Sequence, residues 1–287
     1  MKISIKNPKR LFTFGCSFTH YRWASWANIL AYELNCDFYN FGKSGAGNSY
    51  IANQITQANN HFKFSNEDLV VVCWTNVSRE DRWHPNNGWI TPGNIYTQGE
   101  YDKKFVKRWA NDIHFVLRDF SIIDLASHYL KNQTNYHFLS MCNISTQINQ
   151  WENTEDNKNP DVQKIAKSYS NVLSTIARSF YEVLWNNNID NKWSKDWQEI
   201  HPHYSDGHPT PIEHLEYLES IFEHNFSNQT KEAVFKLNQE WINFIRESYQ
   251  KTKTSQGLHD LDQNIQEKLY KQFRLRKENR IPTTIWH

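Results

Sequence analysis

The stretch 11–19 carries the residue whose position best suits nucleophilic chemistry, Ser17. An apolar run closed by Gly15 predicts a buried strand over 11–15. Apolar residues then recur at helical spacing, which predicts a helix over 21–34. Ser17 is therefore expected on a strand-to-helix turn, where the amide groups of the helix start point towards a bound group. Taken alone, this position does not separate a nucleophile from an ordinary serine at a strand end.

A second group able to do chemistry, Asp206 and His208, stands on a short loop before a well-specified helix. Thr210 followed three residues later by Glu213 is a capping box, and the proline between them suits the first helical position. These signals predict a helix over 211–223. Because a reactive imidazole must be held within hydrogen-bond reach of its partner, an anchored loop of this kind suits it.

Two further predicted strands would bring additional polar groups to the same edge as Ser17. Strand 37–42 runs into a glycine-rich loop around Gly45, and the nearly all-apolar strand 68–74 ends at Asn76. Strands that alternate with helices imply right-handed crossovers and a parallel sheet whose carboxyl ends carry the site. We therefore expect Ser17, Gly45 and Asn76 to gather at one edge of the sheet.

The rest of the chain supplies a long loop, one more strand and several helices. Residues 77–98 are polar and aromatic, which favours a lid or binding loop over disorder. Apolar spacing predicts the remaining elements, namely a helix over 101–131, a strand over 136–142, and helices over 161–185, 234–245 and 258–273.

These elements divide the chain into two predicted units. Residues 1–226 form an α/β domain with a lid-like insertion at about 77–100, and residues 227–287 form a helical extension. A helical arm added to a complete domain needs a cover for its apolar stripe, which predicts a protein partner or self-association. The alternative is an ordinary solvated helix face with a basic end.

Composition narrows the function classes. The 287 residues hold 32 Lys and Arg against 31 Asp and Glu, so a net charge of +1 gives no electrostatic reason to expect nucleic acid or a membrane surface as partner. The start lacks a signal-peptide pattern, and no run approaches the ~18 apolar residues of a membrane helix, which predicts a soluble, cytoplasmic protein. The four widely spaced cysteines predict reduced thiols. We expect no cofactor.

Four short blocks resemble the SGNH (GDSL-like) hydrolase family, in the family's order. They are Gly15-Cys16-Ser17-Phe18, Asn40-Phe41-Gly42-Lys43-Ser44-Gly45, Trp74-Thr75-Asn76 and Asp206-Gly207-His208-Pro209. The resemblance covers about residues 8–225 and implies a flavodoxin-like three-layer α/β/α sandwich with a central parallel sheet. It also implies Ser17 as nucleophile, His208 as its base and Asp206 as the orienting acid. The implied oxyanion hole combines the backbone amides of Ser17 and Gly45 with the side chain of Asn76.

The chain departs from the family pattern at two positions. Cys16 replaces the usual aspartate of the first block, which is not a catalytic position. Asp206 lies two residues before His208, whereas the commoner pattern puts the acid three before, where Ser205 stands here. The shorter spacing is similar to that of some polysaccharide O-acetyltransferases in the same superfamily.

The resemblance implies a serine esterase that hydrolyses an O-acyl ester through an acyl-enzyme on Ser17, and we expect an acetyl group on a carbohydrate. The candidate substrate contacts are aromatic residues, namely Trp74, Trp83, Trp89 and Tyr96. The short first block is similar to that of proteins often found in bacteriophages, so a phage enzyme acting on host or virion glycans is expected.

Several alternatives stay open. With the same triad and a sugar hydroxyl in place of water, the protein would be an O-acyltransferase. With the fold but no chemistry, it would be a structural or virion-associated protein. The histidine-rich stretch 201–214 could hold a metal, although it lacks a helical HExxH pair. Cys16 could be the nucleophile, the glycines could only turn the chain, and Asn76 could cap a helix.

Overall fold

The computed structural model describes residues 3–5, 7–97, 99–145, 159–188 and 206–252, with side chains up to residue 247. Its strands are β1 Arg10–Gly15, β2 Asp37–Gly42, β3 Asp68–Trp74, β4 Arg82–His84, β5 Gly88–Ile90 and β6 Asn135–Ser140. Its helices are α1 Trp26–Leu34, α2 Asn48–Phe62, α3 Lys103–Trp109, α4 Asp112–Lys131, α5 Pro160–Ser168, α6 Ser170–Leu173, α7 Phe180–Trp185, α8 Pro211–Ile221 and α9 Asn228–Thr252.

A parallel four-stranded sheet in the order β2-β1-β3-β6 forms the centre of the molecule. The chain moves outward from β1 to β2 and then back across β1 to β3, so right-handed crossovers place α1 and α2 on opposite faces. Helices α1, α8 and α9 pack together, and α2 packs with α4. The predicted α/β architecture with a central parallel sheet is confirmed.

The strands at the centre of the sheet are buried because helices cover both faces. Every residue of β3 is buried, and β1 is buried from Leu11 onwards. Aromatic rings fill much of the space between the layers; Phe12 stacks on Tyr39 and Phe14 on Phe41, both with ring centroids 4.8 Å apart. These large side chains supply a core in a chain whose mean hydropathy is only −0.79.

The first helix begins five residues later than predicted. Ser25 caps α1 in a capping box with Asn28, and its hydroxyl also donates to the carbonyl oxygen of Thr19 at 2.6 Å. Residues 20–25 therefore form a loop after the serine turn. The apolar residues of this loop do have helical spacing, but Tyr21 and Trp23 contact residues of the site described below instead of forming a helix.

The single helix predicted over 161–185 is wrong. The segment forms α5, α6 and α7, and between the last two the chain is extended beside β6. Ile176 makes a parallel bridge with Phe138, and the Ala177 amide donates to the Phe138 carbonyl at 2.9 Å. Ser179 then caps α7. The apolar residues that predicted one long helix do not need it, because the backbone between α6 and α7 can pair with the free edge of β6 instead.

The prediction for 77–131 also needs correction. The expected loop contains the hairpin β4–β5, in which Trp83 is paired with Trp89. The expected helix over 101–131 is two helices, because Ala110 is extended and Asn111 caps α4 through its side chain.

The first helix of the predicted extension packs on the α/β domain. The apolar stripe of α9 is fully buried at Val234, Leu237, Trp241 and Ile245, and the helix contacts α8 and α1. The predicted helix over 258–273 lies outside the described residues. None of the helices within the described ranges is long and apolar enough to cross a membrane.

Candidate active site

Ser17, His208 and Asp206 form a continuous hydrogen-bonded relay. Ser17 Oγ lies 2.7 Å from His208 Nε2, and His208 Nδ1 lies 2.6 Å from Asp206 Oδ1. The three residues are brought together across 191 positions of sequence. An imidazole between a hydroxyl and a carboxylate is the arrangement that can take a proton from the hydroxyl.

The Asp206 carboxylate is well suited to hold the imidazole because it stays charged. Burial alone would raise the pKa of Asp206, but the charge of His208 and hydrogen bonds from His208 and Tyr21 lower this pKa to about 2. Oδ1 also accepts the backbone amide of His208 at 2.9 Å. The spacing of two residues therefore still brings the carboxylate to the imidazole.

A tight turn after β1 presents Ser17. The amides of Thr19 and His20 donate to the Cys16 carbonyl at 2.9 and 3.1 Å. Gly15 is needed beneath this turn, since a Cβ there would collide with the Thr19 side chain. Ser17 is 6% exposed.

The loop that carries His208 is anchored on both sides. Trp23 Nε1 donates to the Pro209 carbonyl at 2.9 Å, which ties the loop to the segment after the serine turn. Downstream, the predicted capping box is present: Thr210 and Glu213 exchange hydrogen bonds at the start of α8. Trp185 Nε1 donates to the same Glu213 at 2.9 Å. The imidazole is thus fixed by its neighbours in the chain.

The candidate oxyanion groups lie at the same sheet edge. Gly15 and Gly42 are paired at the ends of β1 and β2, and the Lys43 amide donates to the Gly15 carbonyl at 3.1 Å. Gly45 has φ +74°, a conformation that favours glycine. No hydrogen bond to another described residue occupies the backbone amides of Ser17 and Gly45.

Asn76 is fully buried after β3, and its amide group is held in one orientation. Oδ1 accepts from Arg79 Nε at 2.8 Å, and Nδ2 donates to Ser78 Oγ at 3.0 Å. Since a side-chain amide has two N–H bonds, one remains on Nδ2. Arg79 also donates to the Ala46 carbonyl at 3.0 Å, so one guanidinium joins the Asn76 side chain to the Gly45 loop.

Sequence reasoning missed the groups that hold the candidate residues in place. Tyr21 donates to Asp206 Oδ2 at 2.6 Å, but it lay inside a predicted helix. Arg79 and Asp81 lay in a predicted loop; Asp81 accepts the amides of Gly47 and Tyr50 at the start of α2, at 2.8 and 2.9 Å. No local pattern marks such partners, because most of these contacts join residues more than 30 positions apart.

A polar cluster around the buried Asp119 contacts the backbone of Thr75, the residue that follows β3. Asp119 on α4 is 0% exposed and accepts from Asn48 Nδ2 at 2.8 Å and from Arg118 Nε at 2.6 Å. Asn48 in turn exchanges hydrogen bonds with the backbone of Thr75. Burial raises the pKa of Asp119 to about 6 against the opposing charge of Arg118.

The four candidate aromatic residues lie in different environments. Trp74 is fully buried with its ring edge-on to Phe138, so its side chain does not reach the surface as substrate contact requires. Trp83 is 48% exposed on the hairpin, and its ring meets that of Trp89 at a centroid distance of 6.0 Å. Tyr96 is 41% exposed and donates to Asp112 at 2.8 Å.

The described residues give little support to a metal site in the stretch 201–214 or to Cys16 as the nucleophile. Within the described ranges, no group of three or more His, Cys, Asp or Glu is placed to hold a metal ion. His208 is engaged with Ser17, and the buried His214 ring packs edge-on to Phe180. His201 and His203 lie outside the described residues. Cys16 is a free, buried thiol that points away from solvent into the core.

Comparison with protein-family models and with curated proteins gives no match. Among solved structures, the chain is similar to a member of the lipolytic protein G-D-S-L family from Veillonella parvula DSM 2008. The TM-score is 0.40 and the sequence identity 13%, over 73% of this chain and 94% of that one.

Proposed function

We propose that this protein is a serine hydrolase of the SGNH type that cleaves O-acyl esters. The observation that carries the proposal is the relay of Ser17 Oγ, His208 and Asp206, with contacts of 2.7 and 2.6 Å. The four sequence blocks that resemble the family support it, because the relay residues belong to the first and last of them.

In the proposed reaction, Ser17 Oγ attacks the carbonyl carbon of the ester while its proton passes to His208 Nε2. The C–O bond to the alcohol then breaks, and the leaving oxygen takes that proton from His208. Water attacks the resulting acyl-enzyme in the same way, giving the carboxylic acid and free Ser17. Asp206 stays ionised throughout and balances the charge of the imidazolium.

The negative charge that develops on the carbonyl oxygen needs donors fixed in advance. The amides of Ser17 and Gly45 and the remaining N–H of Asn76 are our candidates. Their support is that the two amides have no acceptor among the described residues and that Arg79 fixes the Asn76 amide. Each such donor can contribute about 10²–10³ in rate.

For the substrate, we propose an acetyl ester on a carbohydrate. The support is the hairpin beside the Gly45 loop, where Trp83 is 48% exposed and aromatic faces suit sugar rings. Lys43 Nζ donates to the Trp89 carbonyl at 2.6 Å, which holds this hairpin to the loop. The proposal of a bacteriophage enzyme rests on the Gly-Cys-Ser-Phe-Thr block alone.

Hydrolysis of p-nitrophenyl acetate and of acetylated xylan by the full chain tests the proposal. We expect Ser17→Ala and His208→Ala to lower kcat at least about 10⁴-fold, and Asp206→Asn about 10⁴-fold. His128→Ala, at a 75% exposed side chain on α4, is the matched control and should leave kcat unchanged. A wild type no faster than Ser17→Ala on both esters would overturn the hydrolase proposal.

The spacing of Asp206 and His208 favours one alternative, an O-acyltransferase with the same relay. In that reaction a sugar hydroxyl would attack the acyl-enzyme in place of water. An added polyol that receives more acyl groups than water does, measured as transfer product against free acid, would favour the transferase. A chain inert to all esters that forms a stable assembly through residues 227–287 would favour a structural or virion-associated role.

A further inference from the structure

Tyr21 contacts both His208, the proposed proton acceptor, and Asp206, which would balance the charge of the protonated imidazole. Its ring stacks on the His208 imidazole with centroids 3.7 Å apart and planes 15° from parallel. Its hydroxyl donates to Asp206 Oδ2 at 2.6 Å. A single side chain thus covers the face of the base and holds the acid.

The short loop between Asp206 and His208 explains why a further donor is useful. Oδ1 of Asp206 accepts both the ring Nδ1 and the backbone amide of His208, at 2.6 and 2.9 Å. Both bonds end on Oδ1, so His208 leaves the second carboxylate oxygen, Oδ2, without a donor. The bond from Tyr21 supplies this donor, so both oxygens of the carboxylate are held by hydrogen bonds.

Tyr21 is itself held by a stack of aromatic rings that reaches α9. The Tyr21 ring lies edge-on to Trp23 at 4.7 Å, and Trp23 lies edge-on to Trp241 at 5.3 Å. Trp23 also donates to the Pro209 carbonyl, next to His208. The Arg22 guanidinium lies 5.9 Å from the Tyr21 ring centre. The position of Tyr21 is therefore set by packing on more than one side.

We propose that Tyr21 is a positioning residue of the relay, which fixes the Asp206 carboxylate and the plane of the His208 imidazole; its effect on turnover rests on the proposed function. Tyr21 touches neither the ester nor the nucleophile in this role. Burial raises the pKa of Tyr21 well above its usual range, and the charge of Asp206 raises it further, so the hydroxyl remains a donor.

Two substitutions separate the hydroxyl from the ring. Tyr21→Phe keeps the stacking and removes the donor, and we expect kcat for p-nitrophenyl acetate to fall about 10- to 100-fold with little change in KM. Tyr21→Leu removes the stacking as well and should lower kcat further. Tyr32→Phe is the matched control: its hydroxyl, on α1, accepts from Gln229 at 3.1 Å, away from the relay, so kcat should not change.

The pH profile distinguishes positioning from general damage. Without the Tyr21 hydroxyl, the anionic form of Asp206 loses a hydrogen bond, so the pKa of Asp206 rises. At the acid extreme of the kcat/KM profile, the fall should therefore steepen at a higher pH in Tyr21→Phe than in the wild type, because Asp206 takes up its proton sooner. A merely structural loss would lower the whole profile by one factor.

A readout without turnover keeps the proposal separate from the esterase proposal. We expect the proton between His208 Nδ1 and Asp206 Oδ1, which lie 2.6 Å apart, to give a far-downfield ¹H NMR signal that is assigned by its loss in Asp206→Asn. A shift of this signal in Tyr21→Phe would support the positioning role, even if the wild type hydrolyses no ester. Absence of hydrolysis by the wild type would overturn only the esterase proposal. An unchanged signal, or an active enzyme whose kcat and pH profile survive Tyr21→Phe, would overturn the positioning role.

Discussion

The carbonyl oxygen of Thr91 occupies the space in which a side chain on Gly45 would lie. An added Cβ at Gly45 would collide with that oxygen, and the residue has φ +74°. Thr91 Oγ1 also donates to the Ser44 carbonyl at 3.0 Å. The segment after the hairpin is therefore fastened to the loop that carries a candidate oxyanion donor.

Gly45→Ala tests whether this close approach matters for activity. We expect kcat to fall on the order of 10²–10³, the size of one lost oxyanion donor, because the loop and Thr91 must move apart. Gly99→Ala is the matched control, since Gly99 has φ +71° but no atom within 4 Å of an added Cβ. It should show only the left-handed strain of about 1–2 kcal/mol in denaturant unfolding. Equal kcat values for the two variants would remove Gly45 from the oxyanion hole.

Asn76 and Arg79 offer a test of the third donor. We expect Asn76→Ala to lower kcat on the order of 10²–10³ and leave KM nearly unchanged, because the N–H acts on charge that develops during the reaction. Arg79→Lys cannot reproduce the paired contacts to Asn76 Oδ1 and the Ala46 carbonyl, so it should show a smaller loss in kcat. Steady-state kinetics on p-nitrophenyl acetate measures both. If Arg79→Lys lowers kcat more than Asn76→Ala does, Arg79 must act on more than the side-chain amide of Asn76.

Much of the fold could be predicted from the sequence because local patterns encode it. The strands at 11–15, 37–42 and 68–74 are confirmed within one residue, since a short run rich in apolar and aromatic residues that ends at glycine or a polar residue is typical of a strand. The helix from residue 211 is confirmed because its capping box and proline are local signals. The break at 174–179 could not be predicted, since only the free edge of β6 makes the extended backbone favourable there.

The site shows the same division. Ser17, His208 and Asp206 stand at recognisable turns and loops, and the resemblance of the surrounding blocks to the SGNH family implied their roles. Tyr21 donates to Asp206, 185 residues away, and Arg79 donates to the Ala46 carbonyl, 33 residues away. No spacing rule contains such contacts. Trp74 was misjudged for the opposite reason: an aromatic residue beside a site looks like a ligand contact until its burial is known.

Substitution of Trp241 tests whether the packing of α9 is needed for activity. It is fully buried and supports Trp23, which holds both Tyr21 and the His208 loop. We expect Trp241→Ala to lower the free energy of unfolding by about 3–5 kcal/mol and Trp241→Phe by less, with kcat reduced in both. Phe235→Ala is the control on the same helix; Phe235 is 59% exposed, so the change should stay within about 0.5 kcal/mol. Unfolding in denaturant and kinetics at 25 °C measure the two effects, and full activity in a folded Trp241→Phe would separate α9 from the site.

Asp119 makes the stability of this protein depend on pH in a direction opposite to that of most carboxylates. Burial raises the pKa of Asp119 from its ordinary 3.8 to about 6, so the folded chain binds this proton more tightly than the unfolded chain. As the pH rises through these two values, the free energy of unfolding therefore falls by about 3 kcal/mol in total. Of this, about 1 kcal/mol is lost between pH 5 and 8.

The measurement is the free energy of unfolding of the wild type minus that of Asp119→Asn, which does not titrate at this position. Loss of the contact with Arg118 changes the size of this difference at every pH, but its slope reports the proton alone. We expect the difference to fall as the pH rises from 5 to 8. The partly exposed Asp124 on the same helix provides the matched variant, Asp124→Asn. A difference that stays level or rises with pH would show that Asp119 is ionised throughout, held by Arg118 and Asn48 in spite of its burial.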